Sequence, residues 1–166
     1  MTVTVLQRTP RGARARAATA AIRAGALGAA VVGLDQLTKR TVAAGIGPRG
    51  EHTILPFVDL VHVRNTGVAF GVLSGGGAVV LVCTLIALAA LLTYFVRHPA
   101  RRGLWVPTGL LVGGAIGNLV DRLLNGSVTD FIKLPHWPAF NVADIAITLG
   151  VIALVFVLER GAPESR

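Results

Sequence analysis

Apolar positions in this chain come in four long runs set apart by short polar stretches. The first builds through Ala24–Gly33 and resumes through Leu37 and Val42, which predicts a helix over 22–44, rich in Ala and Gly. Within it Asp35 and Lys39 stand four residues apart, on one helical face and within pairing reach. The second run, 78–96, holds nineteen residues without a charge, about 28 Å of helix at 1.5 Å per residue and enough to cross hydrocarbon. The third and fourth predict helices over 104–124 and 141–158. Between the first two runs, from Gly45 to Gly67, glycine and proline break helical periodicity and Ile54–Val63 nearly alternates. That section reads as short strands of a small sheet over about 45–66, lying on a membrane surface, with Phe57, Val58 and Leu60 dipping toward the headgroups.

Composition turns these runs into membrane helices. Of 166 residues 53% are hydrophobic and 14% charged, with mean hydropathy +0.68, whereas a soluble domain carries roughly 25% charged residues. The fold class expected is an all-α membrane protein: four transmembrane helices with a small extracytoplasmic β-sheet and loop. One domain over 22–160 follows a basic tail, 1–21, that shows no apolar periodicity and is expected to be disordered; 161–166 form a second short tail. No cleavage box follows the first apolar run, so removal of that run as a signal peptide is not expected. Single Cys83 and four scattered histidines exclude a disulfide framework within the chain and a spaced metal-ligand motif. The net charge of +8 is spread between apolar runs and does not form a nucleic-acid surface. Ten basic residues gather in the N-terminal region, the Arg97–Gly103 turn and the C-terminus, which places both termini in the cytoplasm and 45–70 and 125–140 outside.

Candidate chemistry concentrates between Gly113 and Asp144, where three of only eight acidic residues lie, Asp121, Asp130 and Asp144. An ionisable side chain at a membrane edge marks function by default. Asn118, Asp121 and Arg122 share one helical turn, with Arg122 able to reach back to Asn118, and Asp–Arg at a helix end is commonly a structural pair. Asp130 lies in an extended Val-Thr-Asp-Phe-Ile segment. Asn141 and Asp144 open the last helix, Asn141 as a cap, and Asp144 already stands inside apolar sequence. Asp130 and Asp144 have the character of an acid/base pair. Ser74 and Ser127 lack a partnered histidine. The residues alone leave open an outer-surface hydrolase, a transporter or channel, and a structural or assembly protein.

Five motifs add a resemblance. Asp35-Gln36-Leu37-Thr38-Lys39, Asn65-Thr66-Gly67-Val68-Ala69-Phe70-Gly71, Gly113 to Arg122, Val128-Thr129-Asp130-Phe131-Ile132 and Phe140-Asn141-Val142-Ala143-Asp144 resemble, in order, the motifs of bacterial lipoprotein signal peptidase, or signal peptidase II, over about 24–158. The resemblance implies a four-helix aspartyl endopeptidase of the bacterial cell membrane, its site at the extracytoplasmic face. Such an enzyme cuts the signal peptide from diacylglyceryl-modified prolipoproteins just before the lipidated cysteine. Asp130 and Asp144 would be catalytic. Asn65, Asn118, Arg122 and Asn141 would line the site and hold substrate backbone, with Asp35, Lys39 and Asp121 as supports. No cofactor or metal is implied, membrane lipids are partners, nucleic acid is not, and a monomer is expected. Thirteen residues separate Asp130 from Asp144, fewer than in many relatives, so the loop over the site is expected to be trimmed.

Overall fold

A computed structural model describes residues 10–48, 50–66, 77–98 and 101–160. Helix α1 (Pro10–Gly45) leads into strands β1 (Glu51–Leu55) and β2 (Val58–Asn65). Helices α2 (Gly77–Arg97) and α3 (Trp105–Asn125), strand β3 (Val128–Lys133) and helix α4 (Val142–Glu159) follow. Three helices lie within a residue or so of the runs that predicted them. The exception is α1, which begins at Pro10 and so extends through much of the expected tail. Ala and Arg are strong helix formers, and 10–21 consist largely of the two, so local propensity continues the helix where no apolar stripe exists. Residues 1–9 and 161–166, and Gly67–Gly71 of the second motif, lie outside the described residues.

Helix α3 is the centre. Its buried positions, among them Gly109, Gly113, Gly114, Gly117, Asn118 and Asp121, face both α1 and α4. Glycines at these positions let the backbones touch, since no side chain stands between them. A Cβ on Gly113 would stand 2.8 Å from the Gly28 carbonyl oxygen of α1, and one on Gly114 only 2.6 Å from the Ala143 carbonyl oxygen of α4. Gly114→Ala is therefore expected to lower stability by roughly 1–3 kcal/mol, the usual range for overpacking. The thermal midpoint in detergent checks it; an unchanged midpoint would mean that α4 moves aside freely.

Large apolar side chains point outward on the remaining faces, including Leu37, Ile86, Val96, Leu149 and Phe156. Contiguous exposure of this kind marks contact with lipid or a partner. Among the described residues two helical stretches, Arg14–Gly45 and Val142–Glu159, are long and apolar enough to cross a membrane, and Val82–Arg97 forms a shorter apolar helix.

At one end of the helices the strands form an antiparallel sheet in the order β1-β2-β3. The third strand comes from the far side of two helices in sequence, and nothing in its five-residue motif announced which strand it would join. Phe131 of β3 packs against Val42 and Ile46 at the end of α1, together with Leu60. Leu60 is half-buried against this cluster. Phe57, at the β1–β2 turn, is 77% exposed.

Candidate active site

Five elements, α1, β2, α3, β3 and α4, converge where the sheet meets the helices. Residue Asn65 of β2 pairs with Val128 of β3, so Asp130, two positions along, lies on the same face as its diagonal neighbour. The Asn65 amide nitrogen donates to Asp130 Oδ2 at 2.9 Å. After β3 the chain returns through Phe140, whose N–H donates to the Ile132 carbonyl at 2.9 Å and whose carbonyl accepts from Ile132 at 2.9 Å. That closure delivers Asn141 beside Asp130.

Asn141 caps α4, as the sequence indicated. Its Oδ1 accepts the Asp144 N–H at 3.0 Å, and Asp144 Oδ2 accepts the Asn141 N–H at 3.2 Å, a reciprocal capping box. Because the oxygen of that amide is committed to a backbone donor, its nitrogen must point the other way. It donates to Asp130 Oδ1 at 2.7 Å and to Asn118 Oδ1 at 3.2 Å. One amide thus joins the two aspartates.

From α3, Asn118 donates to Asp144 Oδ1 at 2.8 Å. Its orientation is fixed by Lys39, which can only donate and whose Nζ lies 2.9 Å from Asn118 Oδ1. The same Nζ sits 2.8 Å from Asp35 Oδ2 and 3.1 Å from Asp121 Oδ2, so all three ammonium donors are used. Lys39 is 3% exposed and Asp35 is wholly buried. Asp35 Oδ1 accepts from the Ala143 N–H at 2.9 Å, tying α1 to the start of α4. Asp121 Oδ2 accepts from the Thr129 N–H at 3.0 Å, tying α3 to β3.

The structure thus draws Asp35, Lys39, Asn65, Asn118, Asp121, Asp130, Asn141 and Asp144 into one hydrogen-bonded network. Arg122 reaches back from the next turn, its Nη1 3.5 Å from the Asn118 carbonyl oxygen. The expected pairing of Asp121 with its neighbour Arg122 gives way to a pairing with Lys39 across the α1–α3 interface. Consecutive helical residues point apart, whereas Lys39 faces Asp121 directly. Gln36 was passed over in the sequence. Its Nε2 lies 2.9 Å from Asp121 Oδ1, 3.2 Å from the Gly117 carbonyl and 3.3 Å from Asp35 Oδ2. An amide beside a charged pair in an otherwise apolar helix was the signal available. Among the described residues no group of three or more His, Cys, Asp or Glu side chains is arranged to hold a metal ion.

Burial pushes the Asp130 carboxyl up from 3.8 to about 6, and the negative charge of Asp144 pushes the same way. The amides of Asn65 and Asn141, and Lys39 beyond them, oppose the rise. The folded protein therefore binds this proton more tightly than the unfolded chain does. Its contribution to stability is complete below the unfolded value and is lost as pH rises through about 6. Thermal midpoints taken from about pH 4 to pH 8 should fall across that window and level above it. The fall should be shallower in Asp130→Asn; an identical profile in the variant would assign the proton elsewhere.

Exposed apolar helices support a membrane-associated protein, with a buried carboxylate–amide network at one end of them. The profile of the family described as Signal peptidase (SPase) II matches residues 27–159. Lipoprotein signal peptidase of Paraburkholderia phymatum is 43% identical over 140 residues, covering 78% of this chain and 84% of that protein. The one from Thermodesulfovibrio yellowstonii is 39% identical over 127 residues, covering 74% and 85%. A solved bacterial membrane enzyme, determined by the in meso method at 2.3 Å, superposes with a TM-score of 0.78 at 32% identity, covering 86% of this chain and 93% of that one. The chain belongs to the signal peptidase II family and is an enzyme of the peptidase class.

Proposed function

We propose that this protein is the endopeptidase that removes the signal peptide from diacylglyceryl-modified prolipoproteins, immediately before the lipidated cysteine, with Asp130 and Asp144 as the catalytic pair. The observation that carries the reading is Asn141, whose single side chain binds the Asp130 carboxylate and the Asp144 backbone at once. Two carboxylates so placed share one proton near neutral pH. The ionised member takes a proton from water as its oxygen attacks the scissile carbonyl, while the protonated member donates to the carbonyl oxygen. In collapse of the tetrahedral species the first carboxyl passes its proton to the leaving amine, and the second recovers one from a hydroxyl. The pair ends as it began. Asn65, Asn118, Arg122 and Asn141 line the site, with Asp35, Lys39 and Asp121 as its supports.

In this reading all four helices cross the membrane, both termini are cytoplasmic, and the sheet and site face outward. The ten basic residues gathered at one side support that orientation. In a Cys83→Ala background, cysteines placed near Gly50 and His136 should react with an impermeant reagent in intact cells. Reaction only after permeabilisation would invert the topology. The function itself is tested with purified protein in nanodiscs, which should cleave a lipidated prolipoprotein and leave its unlipidated control whole. No cleavage of either would end the proposal.

A further inference from the structure

A groove of about 480 Å³ runs between α2 on one side and α3 with α4 on the other. Its upper limit is set by Ala115 and Ile147, each about one helical turn beyond the Asn118 and Asp144 of the site. From there it descends past Ala87 and Leu154 to Tyr94 and Leu158, at the opposite end of the helices. Thr84 and the Tyr94 hydroxyl are the only side-chain polar groups among its lining residues. The peptidase chemistry proposed above makes no use of it.

The lower mouth is different in character. Arg101 closes it, donating to the Tyr94 hydroxyl, to the Val157 carbonyl at 2.9 Å and to the Leu158 carbonyl at 2.6 Å. These bonds leave one N–H of its Nη1 unspent. Arg97, three residues past Tyr94 at the end of α2, Arg102, next in the chain to Arg101, and Arg160, two residues past Leu158, are exposed, and Glu159 is the one acidic side chain among the described residues of these helix ends. None of Arg97, Arg102 and Arg160 has a side-chain partner among the described residues. An apolar slot that ends in a cluster of arginines matches one kind of occupant, an acyl chain carrying an anionic headgroup.

We propose that this groove binds an anionic phospholipid of the cytoplasmic leaflet, one acyl chain lying between α2 and the α3–α4 pair and the phosphate held by Arg97, Arg101 and Arg102. The inference rests on the four-span topology proposed above. The lipid acts as a wedge: α2 touches the other helices mainly through α3, and an acyl chain in the groove supplies the contacts that it lacks toward α4. Because the groove ends one turn from Asn118 and Asp144, its filling also steadies the wall behind the site.

Native mass spectrometry of the detergent-purified full chain tests this with palmitoyl-oleoyl phosphatidylglycerol and, as control, the phosphatidylcholine of the same chains. Phosphatidylglycerol should remain bound at the lower concentration. The double variant Arg97→Gln/Arg102→Gln should lose affinity for it by about thirtyfold, at roughly 1 kcal/mol per arginine. Ala87→Phe, which fills the groove from α2, should abolish retention; if that variant fails to fold, Leu154→Trp fills it from α4. Equal retention of the two lipids, or phosphatidylglycerol retention untouched by a folded groove-filling variant, overturns the proposal. Prolipoprotein cleavage measured on the same samples separates the two readings. A groove-filled protein that keeps its lipid and loses cleavage assigns the groove to the apolar helix of the substrate instead. An inactive wild-type protein that still retains phosphatidylglycerol leaves the lipid site standing while the peptidase reading falls.

Discussion

Asp130→Asn and Asp144→Asn are each expected to reduce cleavage of lipidated prolipoprotein by about 10²–10⁴-fold, the usual worth of one positioned acid or base. Asparagine keeps the size of aspartate and can neither carry its charge nor exchange its proton. Membrane insertion and yield should stay near wild type, because each replacement keeps acceptors for part of the network. In the Asp144 variant the side-chain oxygen can still take the Asn141 N–H and so preserve the cap of α4. Because the proposed cycle passes protons through both carboxyls, the double variant should be hardly worse than either single one. The pH–rate profile of the intact enzyme should be bell-shaped, with two apparent values that belong to the pair. Initial rates on one lipidated substrate, at matched protein level, decide the matter. Wild-type-like turnover in either single variant removes the dyad.

The largest effect on stability is expected at Lys39. Among the described residues its ammonium is the one cation that pairs with the buried carboxylates of Asp35 and Asp121. Lys39→Met leaves both without it, and breaking a buried pair in this way costs about 3–5 kcal/mol. For a chain of this size that lowers the thermal midpoint by about 10 °C. The triple variant Asp35→Asn/Lys39→Met/Asp121→Asn should lose less than Lys39→Met alone, because it removes the stranded charges together with their counterion. If the triple variant proves the less stable, the ion cluster contributes net stability beyond mutual neutralisation.

Much of this architecture was legible along the chain, for reasons that differ from element to element. Helices α2, α3 and α4 follow from long, predominantly apolar runs, and the start of α4 follows from Asn141 three residues before Asp144. The pairing of Asp35 with Lys39 is a local, one-turn relation that spacing alone gives. What joins distant segments was not legible. Asp121 meets Lys39 because glycines bring α3 against α1, and spacing within α3 favours Arg122 only until that packing is known. The strand carrying Asp130 looked extended, but its place beside β2 depends on a tertiary pairing. The N-terminal extent of α1 was missed for the opposite reason, since propensity without amphipathic pattern gives a helix that periodicity does not detect. Gln36 was hidden inside a recognised motif, its importance visible only once Asp121 stood opposite.

The bond between Asp35 and the Ala143 N–H spans 108 residues, and that between Asn65 and Asp130 spans 65. During synthesis, then, the first helix and the hairpin are made long before the partners that complete the site. Asp130 emerges only after α3, and Asp144 only with the final helix. A chain stalled at any earlier point holds Asp35 and Lys39 but no second carboxylate of the pair. With the proposed dyad, proteolytic competence is reached only once the last helix is in place, and a chain stalled before it is expected to be inert.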